Sequence, residues 1–315
     1  MNLTEDNLSP DSTQAGLQLA TIGAAIVDII VARVRPMRGA KQDVEHIGLY
    51  LGGGAVNAAL NFALLGARVT LHACVGRDME GGLISEALCR HGVQCAIQLA
   101  DEPTGKAVVM VDEQGEARAY AQRGASTRVG EMGFSGIEAC DMVYTSGLSL
   151  ASEAALVAAL AAMSARRFRL VVNPGARQLA HPDGLLPLRE QADLLCVNAL
   201  EAQKLLGSDA PGISTHLSPE QAEFLARRLV CRDGQGILIT LGAGGALFYD
   251  GHLVHYHQAQ RVNVVSTVGA GDAFASAFAY GWASGEAPAV ALAAAAQSAA
   301  QVIQVLPANL AGALR

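Results

Sequence analysis

The sequence predicts an α/β fold: a mostly parallel central sheet covered by helices on both faces, three layers in all, with a small sheet standing apart from it. Three observations carry that expectation. From residue 142 onward, strand-like apolar runs alternate with helix-like runs, the pattern of a parallel sheet with crossover helices. Two segments, 33–51 and 104–121, fall outside that alternation and can pair into a sheet of their own. The composition is 51% hydrophobic and 16% charged, with only 4% aromatic residues and 34 glycines among 315 residues. That is apolar enough to bury a large core, and small residues suit close helix-on-sheet packing.

Taken in order, residues 1–16 are polar and acidic and read as a flexible tail. They lack the basic start and apolar stretch of a signal peptide. The apolar run Leu17–Ala32 reads as one buried strand ending near Asp28. Segment 33–51 is mixed and basic, unlike core. Gly52-Gly53-Gly54 then opens a helix stopped by Gly66, followed by a strand at 69–76 and a helix at 82–92. Residues 104–121 alternate about a Gln114-Gly115 turn, the signature of a hairpin. Strands follow at 142–147, 169–175, 194–198 and 236–242. Helices are expected at 152–165, about 183–192, from near Glu201, and at 218–231. A hairpin at 245–257 and a strand over 262–266 precede two final helices, 271–283 and 288–304. The length permits two domains, but residues 17–315 read as one α/β domain with the two odd segments about 33–51 and 104–121 set apart from its main sheet.

The stretch from Ala287 to Leu314 has no charged residue and is long enough to span a bilayer. It is mostly alanine and carries Gln297, Ser298, Gln301, Gln304, Pro307 and Asn309, costly in lipid, so residues 288–304 read as a buried helix. A net charge of −7 offers no field for a nucleic-acid backbone. The six cysteines form no C-x-x-C pair and no disulfide framework, which fits reduced thiols in a cytoplasmic protein.

The strongest chemical signal is the run Ser266-Thr267-Val268-Gly269-Ala270-Gly271-Asp272 at the start of a helix. Two glycines permit a tight bend and close ligand approach. The amides of Ala270, Gly271 and Asp272 would point out of the helix N-terminus as an anion site. An aspartate there is also simply a good helix starter, which explains Asp272 but not the glycines. No third glycine completes a dinucleotide fingerprint, and no P-loop motif occurs. The second signal is Gly52-Gly53-Gly54-Ala55-Val56-Asn57, with Gly76-Arg77-Asp78-Met79-Glu80-Gly81 downstream. It reads equally as a substrate-facing loop or as a flexible loop with an asparagine cap.

In this order and separation the two segments resemble the ribokinase-like (PfkB) family of sugar and nucleoside kinases. Asp28 in IGAAIVDI, Asn198 with Glu201 as N-x-x-E, Thr240-Leu241-Gly242 as T-x-G, and the NPGAR of 173–177 add to the resemblance, which covers roughly residues 20–305. It implies a three-layer α/β/α domain whose lid closes over the substrate and often makes a dimer interface. It also implies ATP-dependent phosphorylation of a hydroxymethyl group, with magnesium. By position it assigns Asp272 as the catalytic base and Gly269, Ala270, Gly271 and Asp272 as the anion hole. Asp28, Gly53, Gly54 and Asn57 would meet the substrate. Asn198, Thr240 and Gly242 would lie beside the nucleotide, and Glu201 beside the metal.

Where the family often has an acidic or amide residue, this chain has Ser266, and Val268 replaces a common threonine. The use of a monovalent cation therefore stays open, and Gly54 stands where ribokinases proper often carry lysine. A sugar kinase acting as a homodimer through the lid is the leading expectation. A nucleoside kinase, or a binding member without catalysis, are the alternatives, and a phosphosugar acceptor is kept in view by the basic lid residues Arg33, Arg35, Arg38 and Lys41. That basic cluster is more simply a solvated face. His252, His255 and His257 read as hairpin surface rather than a metal site, and Phe274, Phe278 and Trp282 as a core-facing helix stripe. Arg123, just past the lid hairpin, is a further candidate substrate contact.

Overall fold

A computed structural model describes residues 16–34, 41, 43–207, 210, 214, 216–311 and 314. The expected tail at 1–16 falls outside it save for Gly16, as do Arg35 and Arg38 of the basic cluster. Strands β1 (Gln18–Gly23), β4 (Arg68–Gly76), β5 (Gln94–Ala100), β8 (Met142–Ser146), β9 (Arg169–Asn173), β10 (Leu194–Asn198) and β11 (Gly236–Thr240) run parallel in one sheet. The antiparallel β12 (Ala246–Tyr249) and β13 (Val254–His257) extend one edge. The spatial order is β13-β12-β11-β10-β9-β8-β1-β4-β5. Both faces of the inner strands β8, β10 and β11 are buried, as a helix-covered parallel sheet requires. One core cluster gathers α1 (Gly54–Leu64), α2 (Met79–Arg90), α8 (Ala270–Ala283) and α9 (Pro288–Val302). The other gathers α3 (Leu150–Ala161), α5 (Pro182–Gln191), α6 (Ala199–Leu206) and α7 (Pro219–Leu229). Phe274 and Phe278 face the first cluster, and Arg169 stacks over the Trp282 ring at 4.7 Å.

A second, four-stranded sheet has the order β3-β2-β6-β7, built from β3 (His46–Gly52), β2 (Ile26–Val34), β6 (Gly105–Asp112) and β7 (Ala117–Gln122). Here the structure corrects the sequence reading: Leu17–Ala32 is two strands in two sheets, and Asp28 lies inside β2. The break follows Gly23, whose φ of +155° and close approach to the Ser146 carbonyl leave no room for a side chain. Residues 262–266, expected as a strand, are extended chain without a ladder, held by Val265 N–H donating to the Ile303 carbonyl at 2.8 Å. The conspicuous 76–81 segment ties the two sheets together. Asp78 caps α2 through the Gly81 N–H and accepts from the Thr104 hydroxyl and amide, at 2.5 and 2.7 Å, at the entrance to β6. Burial pushes the Asp78 carboxyl up, but those hydrogen bonds and the Lys106 charge outweigh it and hold it below its usual range. At the far end of the hairpin, the Thr267 N–H donates to the Gly115 carbonyl at 3.0 Å. The small sheet is thus pinned on both sides of the loop that precedes α8.

Candidate active site

Parallel pairing brings the carboxyl ends of the strands into line. Gly23, Ser146 and Asn173 are register partners across β1, β8 and β9, and Asn198 pairs with Thr240 across β10 and β11. Ligands of open α/β sheets bind outside these ends, where the following loops diverge. Helix α8 starts over this rim. Its N-cap is Gly269, left-handed at φ +76° and so close to the Ala308 carbonyl that a Cβ would collide with it. The Ala270 N–H makes a long 3.4 Å contact to the Thr267 carbonyl. The N–H groups of Gly271 and Asp272 have no acceptor among the described residues, and nothing crowds Gly271 within 4 Å. Of the three amides expected free, two are fully so.

Asp272 is half-buried in the first turn of α8. Its Oδ2 accepts from Asn57 Nδ2 at 2.8 Å. Burial pushes its pKa up, and the Asn57 hydrogen bond partly opposes this. Asn57 sits in the first turn of α1, and its amide is oriented by Asn309, whose Nδ2 donates to Asn57 Oδ1 at 2.9 Å and to the Leu51 carbonyl at 3.0 Å. Asn309 is 4% exposed and nothing in its sequence context marks it; its contact partner lies 252 residues away. Ser146 is also new. A Cβ on Gly54 would run into its hydroxyl and stand 3.3 Å from Asp272 Oδ1, so Gly54 keeps this floor open.

Asp28 approaches from the small sheet. It is 6% exposed, packed against the Cα of Gly52, where a Cβ would strike its carboxyl group. Of the three glycines, then, Gly52 admits Asp28, Gly53 makes the turn at φ +98°, and Gly54 faces Asp272. Burial, opposed by the Arg123 charge and aided by that of Asp272, raises the Asp28 pKa to about 7, which places Asp28 within electrostatic reach of Asp272.

Asn198 and Glu201 form a reciprocal capping box at the start of α6. The Glu201 N–H donates to Asn198 Oδ1 at 3.0 Å and the Asn198 N–H to Glu201 Oε2 at 2.9 Å. This cap accounts for the N-x-x-E spacing by itself; its backbone bond uses Glu201 Oε2. Burial raises the Glu201 pKa; the Asn198 amide lowers it and Asp272 raises it, which places Glu201 within electrostatic reach of Asp272. Thr240 is half-buried, and Gly242 is exposed with a positive φ of +58° and open space beside it. Ser266 is buried, and its hydroxyl accepts from the Val268 N–H at 3.2 Å, so it is engaged in the turn. His255 stacks on Phe248 and meets Asp250 at 3.2 Å, and no metal-holding cluster of His, Cys, Asp or Glu occurs among the described residues. A groove of about 710 Å³ lies elsewhere, between α3 and α5; its polar lining is Glu153, tied to Gln178 at 2.5 Å, with His181 and Asp183.

The model of the pfkB family carbohydrate kinases matches residues 17–311. The chain belongs to this family. As a pfkB kinase it is a phosphotransferase acting on an alcohol group of a sugar or nucleoside. It is similar to the ribokinase of Haemophilus influenzae, 28% identical over 236 residues covering 73% of each chain. It is also similar to the aminoimidazole riboside kinase of Salmonella typhimurium, 27% identical over 71% of this chain and 70% of that one. Among solved structures, the adenosine kinase of Sinorhizobium meliloti superposes with a TM-score of 0.78 at 22% identity, over 95% of this chain and 98% of that one. Arabidopsis thaliana ribokinase complexed with ribose and ATP gives 0.76 at 23% identity, over 93% and 94%. These likenesses carry the fold: a ribokinase-type α/β domain with a separate small sheet.

Proposed function

We propose that this pfkB kinase transfers the γ-phosphate of ATP to a hydroxymethyl group of a sugar or sugar-like acceptor. The observation that carries the reading is the Asn57–Asp272 hydrogen bond at a helix start where the amides of Gly271 and Asp272 have no acceptor among the described residues, with Asp28 within electrostatic reach. Asp28 and Asn57 hold acceptor hydroxyls, with Gly53 and Gly54 giving the backbone room to approach. Asp272 orients the attacking oxygen and takes its proton as the bond to phosphorus forms, a task that needs position more than basicity. The amides of Gly271 and Asp272, with Gly269 and Ala270 shaping the bend, meet the charge that builds on the equatorial oxygens without reorganising. Asn198, Thr240 and Gly242 line the nucleotide side of the strand ends. The donor set there suits magnesium: one carboxylate, Glu201, beside a polar rim, for an ion that keeps most of its ligands as water and phosphate. Glu201 would hold that ion's waters, and the ion would supply charge neutralisation at the phosphates.

A sugar is favoured over a nucleoside by the small sheet's inner row. Tyr50, Asp28, Ala107 and Ala121 are neighbours across four strands, one aromatic and two alanines, with the Tyr50 hydroxyl tied to His46 at 2.7 Å. Tyr120 points outward, 69% exposed. That is a poor platform for a base. ADP release measured over pentoses, hexoses and nucleosides tests the reading: acceptor-dependent release with sugars supports it, and release with nucleosides alone overturns it.

We also infer that a second copy covers the outer face of the small sheet. Leu49, Ile29, Val108 and Tyr120 are register neighbours across all four strands, flanked by Ile47, and Ile47 and Leu49 are 64% and 45% exposed. An apolar band of this kind suits an isologous contact. Light scattering should give a dimer that Leu49→Asp with Tyr120→Asp converts to monomer; a wild-type monomer would contradict it. No helix among the described residues is long and apolar enough to cross a membrane, and a cytoplasmic site of action is part of the same proposal.

A further inference from the structure

Two buried polar side chains have no part in the chemistry above and yet reach its rim. Gln178, 1% exposed, lies in the short helix α4 (Ala176–Leu179) that follows β9; Glu153, 3% exposed, lies in the first turn of α3. Gln178 Oε1 accepts from the Leu148 N–H at 3.1 Å and the Gly175 N–H at 3.0 Å, and its Nε2 donates to Glu153 Oε2 at 2.5 Å. The amide thus spans the loops that leave β8 and β9. Gly147 and Gly175 touch there so closely that a Cβ on Gly175 would come to 2.7 Å from the Gly147 Cα. The same turn of α3 holds a third segment. Its N-cap, Ser149, donates to the Thr127 carbonyl at 2.6 Å, in the stretch Gly124–Arg128 by which the chain returns from the small sheet.

A helix cap explains only part of this. The Gln178 bond to the Gly175 N–H is the back-bond of a residue in the first turn of α4 to its N-cap. The bonds to Leu148 and Glu153 lie outside that motif. Burying an amide and a carboxyl costs stability unless each is hydrogen-bonded, and an apolar pair would fill the same volume without that need. What the polar pair adds is direction. Leu148 and Gly175 present donors, so the Gln178 oxygen must face them; its nitrogen must then face an acceptor, and Glu153 supplies one. Burial pushes the Glu153 pKa up and the Gln178 bond opposes it, and a carboxyl can accept in either protonation state. The direction matters because of what the first loop carries. Ser146 ends β8 in register with Asn173 of β9, and its hydroxyl sits where a Cβ on Gly54 would fall, near Asp272. Gly147, at φ +68°, is a joint of wide freedom between Ser146 and Leu148. An anchored Leu148 amide takes that freedom away.

We propose that Gln178, oriented by Glu153, is a positioning residue for the acceptor side of the active site: it locks the loops after β8 and β9 together and so fixes Ser146 on the floor beside Gly54 and Asp272. The proposal rests on the reading of Gly54 and Asn57 as acceptor contacts. It assigns neither side chain a contact with the acceptor itself. It places the effect on the acceptor rather than on ATP, whose side of the rim is formed by the ends of β10 and β11.

Variants of the full-length protein test it, each assayed well below its own thermal transition: Gln178→Met, Glu153→Met, and the exchanged pair Glu153→Gln with Gln178→Glu. In the exchanged pair a carboxyl accepts from both loop amides and from the new side-chain amide, so every hydrogen bond of the tie returns. The substrate is the acceptor of highest kcat/KM in the panel of pentoses, hexoses and nucleosides, D-ribose, D-fructose and adenosine among them. Gln178→Met is expected to lower kcat/KM for the acceptor about tenfold and Glu153→Met about threefold, with the KM for ATP within about twofold of the wild type. The exchanged pair brings the acceptor value back to within about threefold of the wild type. Hydrogen exchange at the Leu148 and Gly175 amides, read by NMR without any turnover, should quicken at least about tenfold in Gln178→Met and slow again in the exchanged pair. Unchanged acceptor kinetics in a folded Gln178→Met overturns the positioning role, as does an exchanged pair that stays impaired or an equal loss on the ATP side. If Gln178→Met does not fold, Glu153→Met, which leaves the loop amides their acceptor, decides by the same comparison. A wild type that phosphorylates nothing in the panel contradicts the kinase reading alone; the exchange rates then uphold the loop tie or overturn it.

Discussion

Asp28 projects from a strand of the small sheet and Asp272 from the first turn of α8, and burial raises the pKa of both. Their surroundings differ. Asp272 is gripped by a chain of side chains, Asn309 to Asn57 to Asp272, anchored in the core. Asp28 has no side-chain donor among the described hydrogen bonds; it is wedged against Gly52, and the Arg123 charge partly offsets the effect of its burial. The core wall is fixed before anything binds, which suits a group that must meet a transferring phosphoryl group in one geometry. The small-sheet wall has unspent hydrogen-bonding capacity, which suits a group whose partners are the acceptor's hydroxyls.

That contrast orders the expected effects of substitution. Asp272→Asn should lower kcat by about a thousandfold with little change in nucleotide affinity, because it removes the proton acceptor and keeps the shape. ADP titration beside steady-state rates checks it, and near-normal turnover would contradict the assignment of the base. Gly54→Ala should cost about a hundredfold in kcat by pushing Ser146 and Asp272 apart, the scale expected for a displacement near 1 Å at reacting groups. If its rate is unchanged, the core wall is softer than described.

Asp28 gives a pH test. Its folded pKa of about 7 lies above the ordinary value of 3.8, so between those values the folded state holds a proton that the unfolded chain has released. The stabilisation is complete below about pH 4 and is lost as the pH rises through about 7. Melting temperatures at pH 5 and pH 8 should therefore fall further in the wild type than in Asp28→Asn, with an upper bound on the order of 4 kcal/mol. Acceptor affinity should run the other way and strengthen as Asp28 ionises. Parallel pH curves for the two proteins would remove Asp28 from the account. The smallest effect is expected at Asn309→Ala: about tenfold in kcat, from a loosened Asn57, and about 1–2 kcal/mol of stability, from the unsatisfied Leu51 carbonyl. Loss of stability with an unchanged rate would show that Asn309 only supports the fold.

The two walls also differ in how far the sequence revealed them. The glycine bend and Asp272 were legible because bend, helix start and acid are contiguous, and Asn57 followed from a glycine run entering a helix. The alternation from residue 142 onward gave the parallel sheet. The small-sheet wall was harder. Apolar periodicity across residues 17–32 does not change where one strand stops and another begins, and the break depends on the close packing of Gly23 against Ser146. Strand β5 passed unnoticed because its seven residues are half polar and mostly unburied, although Gly92 at φ +75° marks the end of the helix before it. Asn309 and Ser146 act only through contacts with residues distant in the chain. Asp78 and the 76–81 segment looked like part of the site and instead join the two sheets.

The central claim, that phosphoryl transfer occurs at the start of α8, is met most directly by a crystal structure with ADP, magnesium, aluminium fluoride and an acceptor identified by turnover. The account predicts the fluoride mimic on the amides of Gly271 and Asp272, with the acceptor oxygen between it and the Asp272 carboxylate and the acceptor's other hydroxyls on Asp28. A mimic bound elsewhere, or an acceptor oxygen out of reach of Asp272, would contradict it.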